Sequence, residues 1–379
     1  MTSTTMNFTS APSFLLTACA RGMSSLARVP TDPPPSLAAI GERVGTRIDG
    51  LLADEQLRWV DVDADLWEPF EALRALIRGG KRLRPAFCHW GWVGSGGDPH
   101  DPRIVDAGAA LELLHTFALI HDDIMDDSVR RHGIDCLHVD FAARHRDRDW
   151  HGEDRRFGDG AAILIGDLAF VYADQLLRDA PTAALDVFTE LRLEVNVGQY
   201  LDLLGTASRR ASVEQARTIC IYKSGKYTIE RPLHLGAAMA GRLDELAAPF
   251  SSYGIPLGEA FQLRDDLLGA FGDGAKLGKA VGEDLREGKP TALYALTRRH
   301  ATGAAADLLD RRFGHHDLSD DEIAAIQQVM EDSGARAAVE RSVGELTDTA
   351  LKAIEDAPIT ETARDELVAL ARFVAGREF

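Results

Sequence analysis

The chain has 379 residues, of which 60 are Asp or Glu and 42 are Lys or Arg, so its formal net charge at pH 7 is −18. A hydrophobic fraction of 45% provides a buried core and excludes wholesale disorder. The acidic balance argues against nucleic acid as a partner, because binding a phosphate backbone requires a basic face. The apolar runs fall short of the ~20 residues that cross a bilayer, so we predict no membrane span.

The N-terminal residues 1–36 are rich in Ser, Thr and Pro and end in three consecutive prolines, 33–35. This composition predicts a disordered N-terminal extension, because it offers little apolar surface to bury. Residues 37–379 are predicted to form one folded domain. The chain has four widely separated cysteines, without the spacing of a metal site, which is typical of a reducing compartment and predicts a cytoplasmic protein: Cys19, Cys88, Cys136 and Cys220.

From about Leu37 onward, apolar residues recur at spacings of three and four, which is the pattern of helices that bury one face. The pattern predicts helices over 66–77, 110–120, 161–178, 184–204, 212–241, 246–271, 290–301, 303–313, 320–333, 336–355 and 360–375. No alternating strand pattern and no internal repeat stands out, so the predicted fold class is all-α, a helical bundle. Residues 144–156 carry many charges of both signs and no apolar stripe, which predicts a solvated loop.

The first candidate site is the run DDIMD at 122–126, at the end of an apolar helix. Asp122 and Asp126 are four residues apart and so lie on one helix face, about one turn apart. Like charges at this spacing repel each other, which indicates a cation between them. Carboxylates are the hard oxygen ligands that Mg²⁺ prefers, and substrate phosphate often completes its coordination. A solvated helix end is the alternative interpretation.

A second acidic pair follows about 140 residues later, in FQLRDD at 261–266. Gln262 lies three and four residues before Asp265 and Asp266, so these side chains can point the same way. Two aspartate-rich helices of one bundle can face each other across a cavity and hold metal ions between them.

A third feature is cationic, the run GGKRLRP at 79–85. Its glycines allow the backbone to approach a ligand closely, and Lys and Arg bind phosphate. Further cations lie at Arg130-Arg131, Lys223, Lys226, Lys279 and Lys289. This set would compensate more than one buried diphosphate. A basic surface turn is the alternative for the first run.

These motifs resemble those of the trans-isoprenyl diphosphate synthases, over about residues 38–379. The matches occur in the family's order: GGKRLRP, DDIMD, Gly198-Gln199 with Asp202, Lys223-Ser224, FQLRDD, and GEDLREGKPT ending at Thr291. The resemblance implies an isoprenoid-synthase-type antiparallel bundle around a deep central cavity, and a homodimer. It also implies the condensation of isopentenyl diphosphate with an allylic diphosphate, which can be dimethylallyl, geranyl or farnesyl diphosphate.

The resemblance further implies roles for individual residues. Three Mg²⁺ ions are expected, two on Asp122 and Asp126 and the third on Asp265, with Asp266 and Gln262 in support. The allylic diphosphate would contact six residues: Arg131, Lys223, Ser224, Gln262, Lys279 and Lys289. Isopentenyl diphosphate would lie on Lys81, Arg84 and His115.

The chain departs from the family pattern in two places. Where the family has Arg-Arg-Gly, the sequence reads Arg131-His132-Gly133, so Arg130 or a protonated His132 would take over a contact to isopentenyl diphosphate. Gly269 stands where many members have a third aspartate, a change that the two retained aspartates should tolerate.

The residues just before DDIMD suggest the product length. In this family they form the floor of the elongation cavity, and Phe117 followed by Ala118 resembles the geranylgeranyl diphosphate (C20) synthases. On a helix, Ala118 lies about 40° from Asp122 but Phe117 about 140° away, so periodicity leaves Phe117 open as a core residue. Farnesyl or longer products remain alternatives.

Three other functions compete with this one. A class I terpene cyclase would not need the GGKRLRP site. A carboxylate metal-storage bundle would carry a pair of Glu-x-x-His motifs, whereas the sequence has a single one, at 112–115. A catalytically silent subunit of a hetero-oligomeric synthase would explain His132 but not the two intact aspartate pairs.

Overall fold

The computed structural model describes residues 32–131, 133–208, 212–272 and 282–377. The first of these residues form α1 (Pro35–Val60), a short 3₁₀ helix (Ala64–Leu66), α2 (Trp67–Ile77), α3 (Leu83–Gly94), α4 (Pro102–Met125), α5 (Leu137–Asp147), α6 (Asp154–Leu176) and α7 (Thr182–Ser208). The chain continues as α8 (Val213–Ile219), a π-helix (Cys220–Glu230), α9 (Arg231–Met239) and α10 (Leu243–Phe271). Further helices span Glu283–Glu287, Ala292–His300, Ala304–Arg312, Asp320–Asp332, Ala335–Glu355 and Glu361–Gly376. Strand structure in the described ranges is limited to Arg130–Arg131, paired antiparallel with Ile134–Asp135.

Helix α4 lies at the centre of the bundle. The Asp101 carboxylate caps it by accepting the backbone N–H of Arg103 at 2.8 Å, and Pro102 occupies the first turn, where no N–H partner is needed. Apolar residues cover most of its circumference, and α1, α3 and α6 pack around it. Because the helix is enclosed, its last turn delivers DDIMD to the interior, where Asp123 is buried.

Close backbone contacts join α7 and α10 to the π-helix between them. A Cβ atom on Gly198 would lie 2.3 Å from the backbone N of Lys223, and one on Gly258 would lie 2.4 Å from the Cα of Gly225. Only glycine permits such approaches. These contacts bring Gln199, the next residue of α7, beside Lys223.

The hydrophobic core has two parts. The larger one unites α1 to α4, α6, α7 and α9 with the first half of α10, and its fully buried side chains include Phe87, Phe188, Phe250 and Tyr253. The smaller one joins the second half of α10 to α8 and to the helices between residues 283 and 346, whereas the final helix, Glu361–Gly376, belongs to the larger core. Helix α10 therefore connects both cores, and the FQLRDD run lies where they meet.

The prediction of a loop over 144–156 is wrong at both ends. Residues 144–147 complete α5 and residues 154–156 begin α6, which leaves 148–153 as the connection. The buried ring of His145 lies 6.0 Å from that of Trp150 and 5.3 Å from that of Phe157, and Arg144 pairs with Glu68 at 3.1 Å. Such side-chain contacts do not follow the helical period, so they leave no periodic trace in the sequence.

The other boundary predictions fare better. The helix predicted over 212–241 is continuous from 213 to 239, but its middle turns are π-helical. Helix α1 begins at Pro35, so residues 35 and 36 belong to a helix rather than to the predicted extension. Residues 1–31 lie outside the described residues.

One described helix, α4, is long and apolar enough to cross a membrane by length and composition. Its most apolar window has a mean hydropathy of 1.3, and 61% of that window is buried inside the protein. A helix surrounded by other helices in this way is typical of a protein core.

Candidate active site

The Asp122 carboxylate is the meeting point of three helices. Gln199 of α7 donates its side-chain N–H to Asp122 Oδ1 at 2.7 Å. Lys223 of the π-helix places its Nζ 3.1 Å from Asp122 Oδ1 and 2.6 Å from Asp202 Oδ2. π-Helical turns are rare in proteins, and those that occur are often found at functional sites. The first aspartate motif, Gly198-Gln199 with Asp202, and Lys223 therefore form one cluster.

The neighbouring cations determine the charge of this cluster. Although burial alone would raise it, Lys223 and Lys289 lower the pKa of Asp122 to about 2. Burial and the charge of Asp122 raise the pKa of Asp126 to about 6. The two carboxyls thus differ in proton affinity although they lie one turn apart.

Lys289 links the first aspartate motif to the segment that follows α10. Its Nζ lies 3.4 Å from Asp126 Oδ2, 3.8 Å from Asp284 Oδ1 and 2.7 Å from Glu287 Oε2. Although burial opposes it, these carboxylates raise the pKa of Lys289. The lysine therefore remains protonated between acidic groups from two distant parts of the chain.

Asp284 in turn lies against the second aspartate motif. A Cβ atom on Gly269 would lie 2.0 Å from Asp284 Oδ2, so the Asp284 carboxylate occupies the space that a side chain at position 269 would need. Burial and the nearby Asp284 charge raise the pKa of Asp266 to about 8, and Gln262 donates to Asp266 Oδ1 at 2.8 Å. The two aspartate motifs thus line one cleft and are joined through Asp284 and Lys289.

Asp265 has a different environment from Asp266. Its side chain is 57% exposed, and its Oδ1 lies 3.0 Å from the Nη2 atom of the buried Arg377. Burial and the Arg377 charge lower the pKa of Lys81 to about 8, so Lys81 lies close to this pair. A cavity of about 600 Å³ adjoins Lys81, between α1, the loop at 78–82 and Phe373.

A second polar cluster joins Arg84 to His115 through Tyr227. Arg84 donates to Thr228 Oγ1 at 2.9 Å, and its guanidinium lies 4.2 Å above the Tyr227 ring. The Tyr227 hydroxyl lies 3.2 Å from His115 Nδ1. Burial and the Arg84 charge lower the pKa of His115, so its ring is neutral. The buried Nε of Arg84 has no hydrogen-bond partner in the described part of the chain, which leaves a donor for an anion.

The arginine between Lys81 and Arg84 has a structural role. Arg82 adopts a left-handed backbone conformation with φ of 53°, and its Nη1 lies 2.8 Å from Glu112 Oε1 on α4. This ion pair fastens the loop to the central helix and orients its neighbours on either side.

The donor set fits a metal that is shared with a ligand. Within the described ranges, no group of three or more His, Cys, Asp or Glu side chains is arranged to hold a metal ion on its own. Asp122, Asp126 and Asp265 instead offer isolated carboxylate oxygens, and lysines or an arginine contact each of them. Mg²⁺ is usually bound in this way, through one or two carboxylates together with phosphate and water.

Comparisons with known proteins bear on these motifs. A profile of the polyprenyl synthetase family matches residues 69–330. The chain belongs to this family. It is 32% identical over 339 residues to the short chain isoprenyl diphosphate synthase of Methanothermobacter thermautotrophicus, which covers 86% of this chain and 96% of that protein.

Two other proteins give comparable matches. The geranylfarnesyl diphosphate synthase of Aeropyrum pernix is 31% identical over 275 residues, 70% of this chain and 79% of that protein. Geranylgeranyl pyrophosphate synthase of Corynebacterium glutamicum, solved with isoprenyl diphosphate and magnesium, superposes with a TM-score of 0.86 at 36% identity, over 90% of this chain and 99% of that one. The predicted family, fold class and trans-prenyltransferase activity are confirmed.

The structure places most of the predicted residues of this polyprenyl synthetase in the two polar clusters and the Asp265 ion pair described above. His132 and Lys279 lie outside the described residues. Ser224 is half-buried beside Lys223 in the π-helix. Arg131 is engaged mainly by Asp123, at 2.6 Å, and its Nη2 lies 3.7 Å from Asp122 Oδ2.

The two residues predicted to form the elongation floor lie on α4. Phe117 packs towards α6, with its ring 4.8 Å from that of Phe170 and 4.5 Å from that of His121. Ala118 is half-buried. Their proposed role in product length stays a prediction.

Sequence reasoning missed four participants. Asp123 anchors Arg131, and Gln199 donates to Asp122. Asp202 accepts from Lys223, and Asp284 holds Lys289 against the second motif. All four lie inside motifs recognised from the sequence. The spacing gave no reason to single them out, because their partners are set by tertiary packing and not by helical periodicity.

Proposed function

We propose that this polyprenyl synthetase condenses isopentenyl diphosphate with an allylic diphosphate and makes geranylgeranyl diphosphate (C20), using three Mg²⁺ ions in a cytoplasmic homodimer. The observation that carries the proposal is the junction of the two aspartate motifs. Lys289 contacts Asp126 and Asp284, and the Asp284 carboxylate lies against Gly269. One diphosphate in this cleft could therefore contact both motifs at once.

The charges in the cleft suit a diphosphate leaving group. Lys223 and Lys289 are protonated and compensate carboxylates as long as no substrate is bound. Asp122 and Asp126 would hold two Mg²⁺ ions and Asp265 the third. When bound, these ions would neutralise the diphosphate and stabilise the charge that develops as it leaves. The lysines are then free to donate to diphosphate oxygens.

The reaction requires no nucleophilic side chain. The allylic C–O bond breaks and its electron pair leaves with the diphosphate, which Lys223 and Lys289 stabilise by charge. The double bond of isopentenyl diphosphate attacks the resulting allylic cation and forms the new C–C bond. A proton then leaves the condensed cation for the departing diphosphate. The protein's part is to orient the two substrates and to keep water away from the cation.

Isopentenyl diphosphate would bind beside the second polar cluster. Lys81 and Arg84 flank Arg82, which is fixed to α4, and Arg84 keeps a buried Nε–H without a protein partner in the described ranges. His115 is neutral and can donate one N–H without adding charge. Lys81, Arg84 and His115 thus supply donors to a second diphosphate. His132 remains a proposed fourth donor, and Lys279 and Ser224 proposed contacts of the allylic diphosphate.

The C20 product is proposed on the resemblance of Phe117 and Ala118 to the floor of geranylgeranyl diphosphate synthases. The similarity to the Corynebacterium glutamicum enzyme supports it. The relative from Aeropyrum pernix is named for the longer geranylfarnesyl diphosphate, so the length has to be measured.

The proposed homodimer is supported by an apolar face on α6 and α7. Leu164 and Val171 are exposed on α6, seven residues apart, and Leu193, Val197 and Tyr200 form an exposed stripe on α7. Several exposed apolar side chains on adjacent helices are typical of an interaction surface. Light scattering should give the mass of a dimer for the wild type and the mass of a monomer for the double variant Leu164→Glu, Val197→Glu. A wild-type protein with the mass of a monomer would contradict the proposal.

Product analysis tests the proposed reaction. The purified protein is incubated with radiolabelled isopentenyl diphosphate, Mg²⁺ and each of the C5, C10 and C15 allylic diphosphates, and the dephosphorylated products are sized. A dominant C20 alcohol is expected. Other lengths would keep the enzyme and discard Phe117 as the floor. No elongation with any primer would favour the silent-subunit alternative.

A further inference from the structure

Arg377, which follows the final helix, has an unusual position for an arginine. Its side chain is only 4% exposed, its guanidinium lies 4.0 Å over the Phe261 ring, and its Nη2 donates to Phe261 O at 3.2 Å and to Asp265 Oδ1 at 3.0 Å. Its Nε is buried without a hydrogen-bond partner among the described residues. A buried guanidinium with one donor unsatisfied is costly, which indicates that this position serves a purpose beyond packing.

Within the described parts of residues 32–377, one carboxylate and two cations are the charged groups that act on Arg377. Asp265 is the carboxylate that pairs with it, whereas Lys81 and Arg264 are cations close enough to oppose it. Burial and Arg264 lower the pKa of Arg377, against the influence of Asp265. A second cation on Asp265 would leave the guanidinium buried among positive charges, and an uncompensated buried charge is strongly unfavourable.

The two ends of this ion pair differ in their freedom to move. Asp265 is on α10 and more than half exposed, so solvent ions reach it. Arg377 lies beyond the last helical residue, Gly376, where the backbone turns to an extended conformation. The helix itself is held by Arg264, whose Nε donates to Ala375 O at 2.8 Å. The end of the final helix is therefore held by a contact that does not involve the Arg377–Asp265 ion pair.

We infer that Arg377 is a built-in counter-cation that competes with a divalent metal ion for Asp265. In the metal-free protein its guanidinium occupies Asp265 Oδ1, and metal binding at Asp265 displaces it. The inference rests on the proposed function, in which Asp265 holds the third metal ion. The competition predicts that Arg377 lowers the affinity of Asp265 for a metal ion as long as no diphosphate is bound.

Mn²⁺ binding followed by electron paramagnetic resonance tests this competition, with inorganic pyrophosphate as the anion. Arg377→Gln should bind Mn²⁺ about fivefold more tightly than the wild type at the weakest class of sites, a ratio that corresponds to about 1 kcal/mol for a partly exposed pair. In the background of Asp265→Asn, the same substitution should change nothing. Arg377→Met serves the same purpose if the Gln variant fails to fold, and thermal unfolding checks both.

Arg372→Gln is the matched control, because it removes the same charge from an exposed position of the same final helix. Its Mn²⁺ affinity should equal that of the wild type. Unchanged or weaker binding by Arg377→Gln overturns the inference, and so does an equal gain by the control. Product formation by the wild type tests the proposed function separately, so an active enzyme with unchanged Mn²⁺ affinity in Arg377→Gln refutes the competition alone.

Discussion

Replacing Lys223 by Met tests the electrostatic balance of the cleft, because this one side chain compensates two carboxylates. Its Nζ lies 3.1 Å from Asp122 and 2.6 Å from Asp202, and the three side chains are 22%, 18% and 12% exposed. Removing one partner of a buried ion pair costs about 3–5 kcal/mol. Asp122 keeps its hydrogen bond from Gln199, so we expect the lower end of this range.

The expected change in melting temperature follows from the size of the protein. Unfolding entropy is about 2.1 cal/mol/K per residue, so 379 residues give about 0.8 kcal/mol/K, and a loss of about 3 kcal/mol lowers Tm by about 4 °C. Scanning calorimetry in EDTA measures it. Mg²⁺ with pyrophosphate should reduce the difference in Tm between the wild type and Lys223→Met, because the bound metal replaces the missing positive charge at Asp122. The value of kcat/KM should fall at least about 100-fold, since a cation at the leaving group is lost.

Lys352→Met is the control, because Lys352 is exposed in the last turn of the helix Ala335–Glu355. Its Tm should match that of the wild type. If Lys223→Met lowers Tm in EDTA by less than about 1 °C relative to the wild type, the reasoning that this lysine compensates buried charge is refuted. If Mg²⁺ and pyrophosphate leave this difference in Tm unchanged, the idea that the metal and the lysine neutralise the same carboxylate is refuted.

Three further predictions concern Asp284, pH and product length. Asp284→Asn should raise the Mg²⁺ concentration for half-maximal activity about tenfold, because it removes a carboxylate beside the second motif, and Gly269→Asp together with Asp284→Gly should recover part of that loss. The raised pKa values of Asp126 and Asp266, about 6 and about 8, mean that the metal-free fold binds extra protons. Below about pH 6.5 the lowered pKa values of His89, His115 and His234 act in the opposite sense, so the fall in stability should appear as pH rises from about 6.5 to 7.5, where Asp266 loses its proton, while Mn²⁺ affinity increases. Phe117→Ala should lengthen the main product by at least one C5 unit, as sized by chromatography.

Each of these predictions can fail on its own. An Mg²⁺ requirement unchanged in Asp284→Asn would show that Gly269 is not compensated by this carboxylate. A Tm in EDTA that rises from about pH 6.5 to pH 7.5 would contradict the raised pKa of Asp266. An unchanged chain-length distribution for Phe117→Ala would remove Phe117 from the elongation floor and leave it as a core residue packed on Phe170.

The sequence was sufficient for the fold class and for the motifs. Helical periodicity marks the elements because one face of each helix must be buried, whatever its partner. The residue types of DDIMD, FQLRDD and GGKRLRP by themselves indicate metal binding by carboxylates and phosphate binding by cations. Even the helix over 212–241 was recognised, although its π-helical turns were not, since they arise where Gly198 and Gly258 bring two neighbours against it.

Only the tertiary structure decided which of these groups act on one another. Asp284 shares its motif with Lys289, and nothing in the sequence indicates that its carboxylate occupies the space at Gly269. Arg377 had no motif at all, yet it pairs with Asp265, 112 residues away. Composition and period record which face of a helix is buried. The choice of partner depends on distances between helices that are far apart in the chain, so it exists only in the packed molecule.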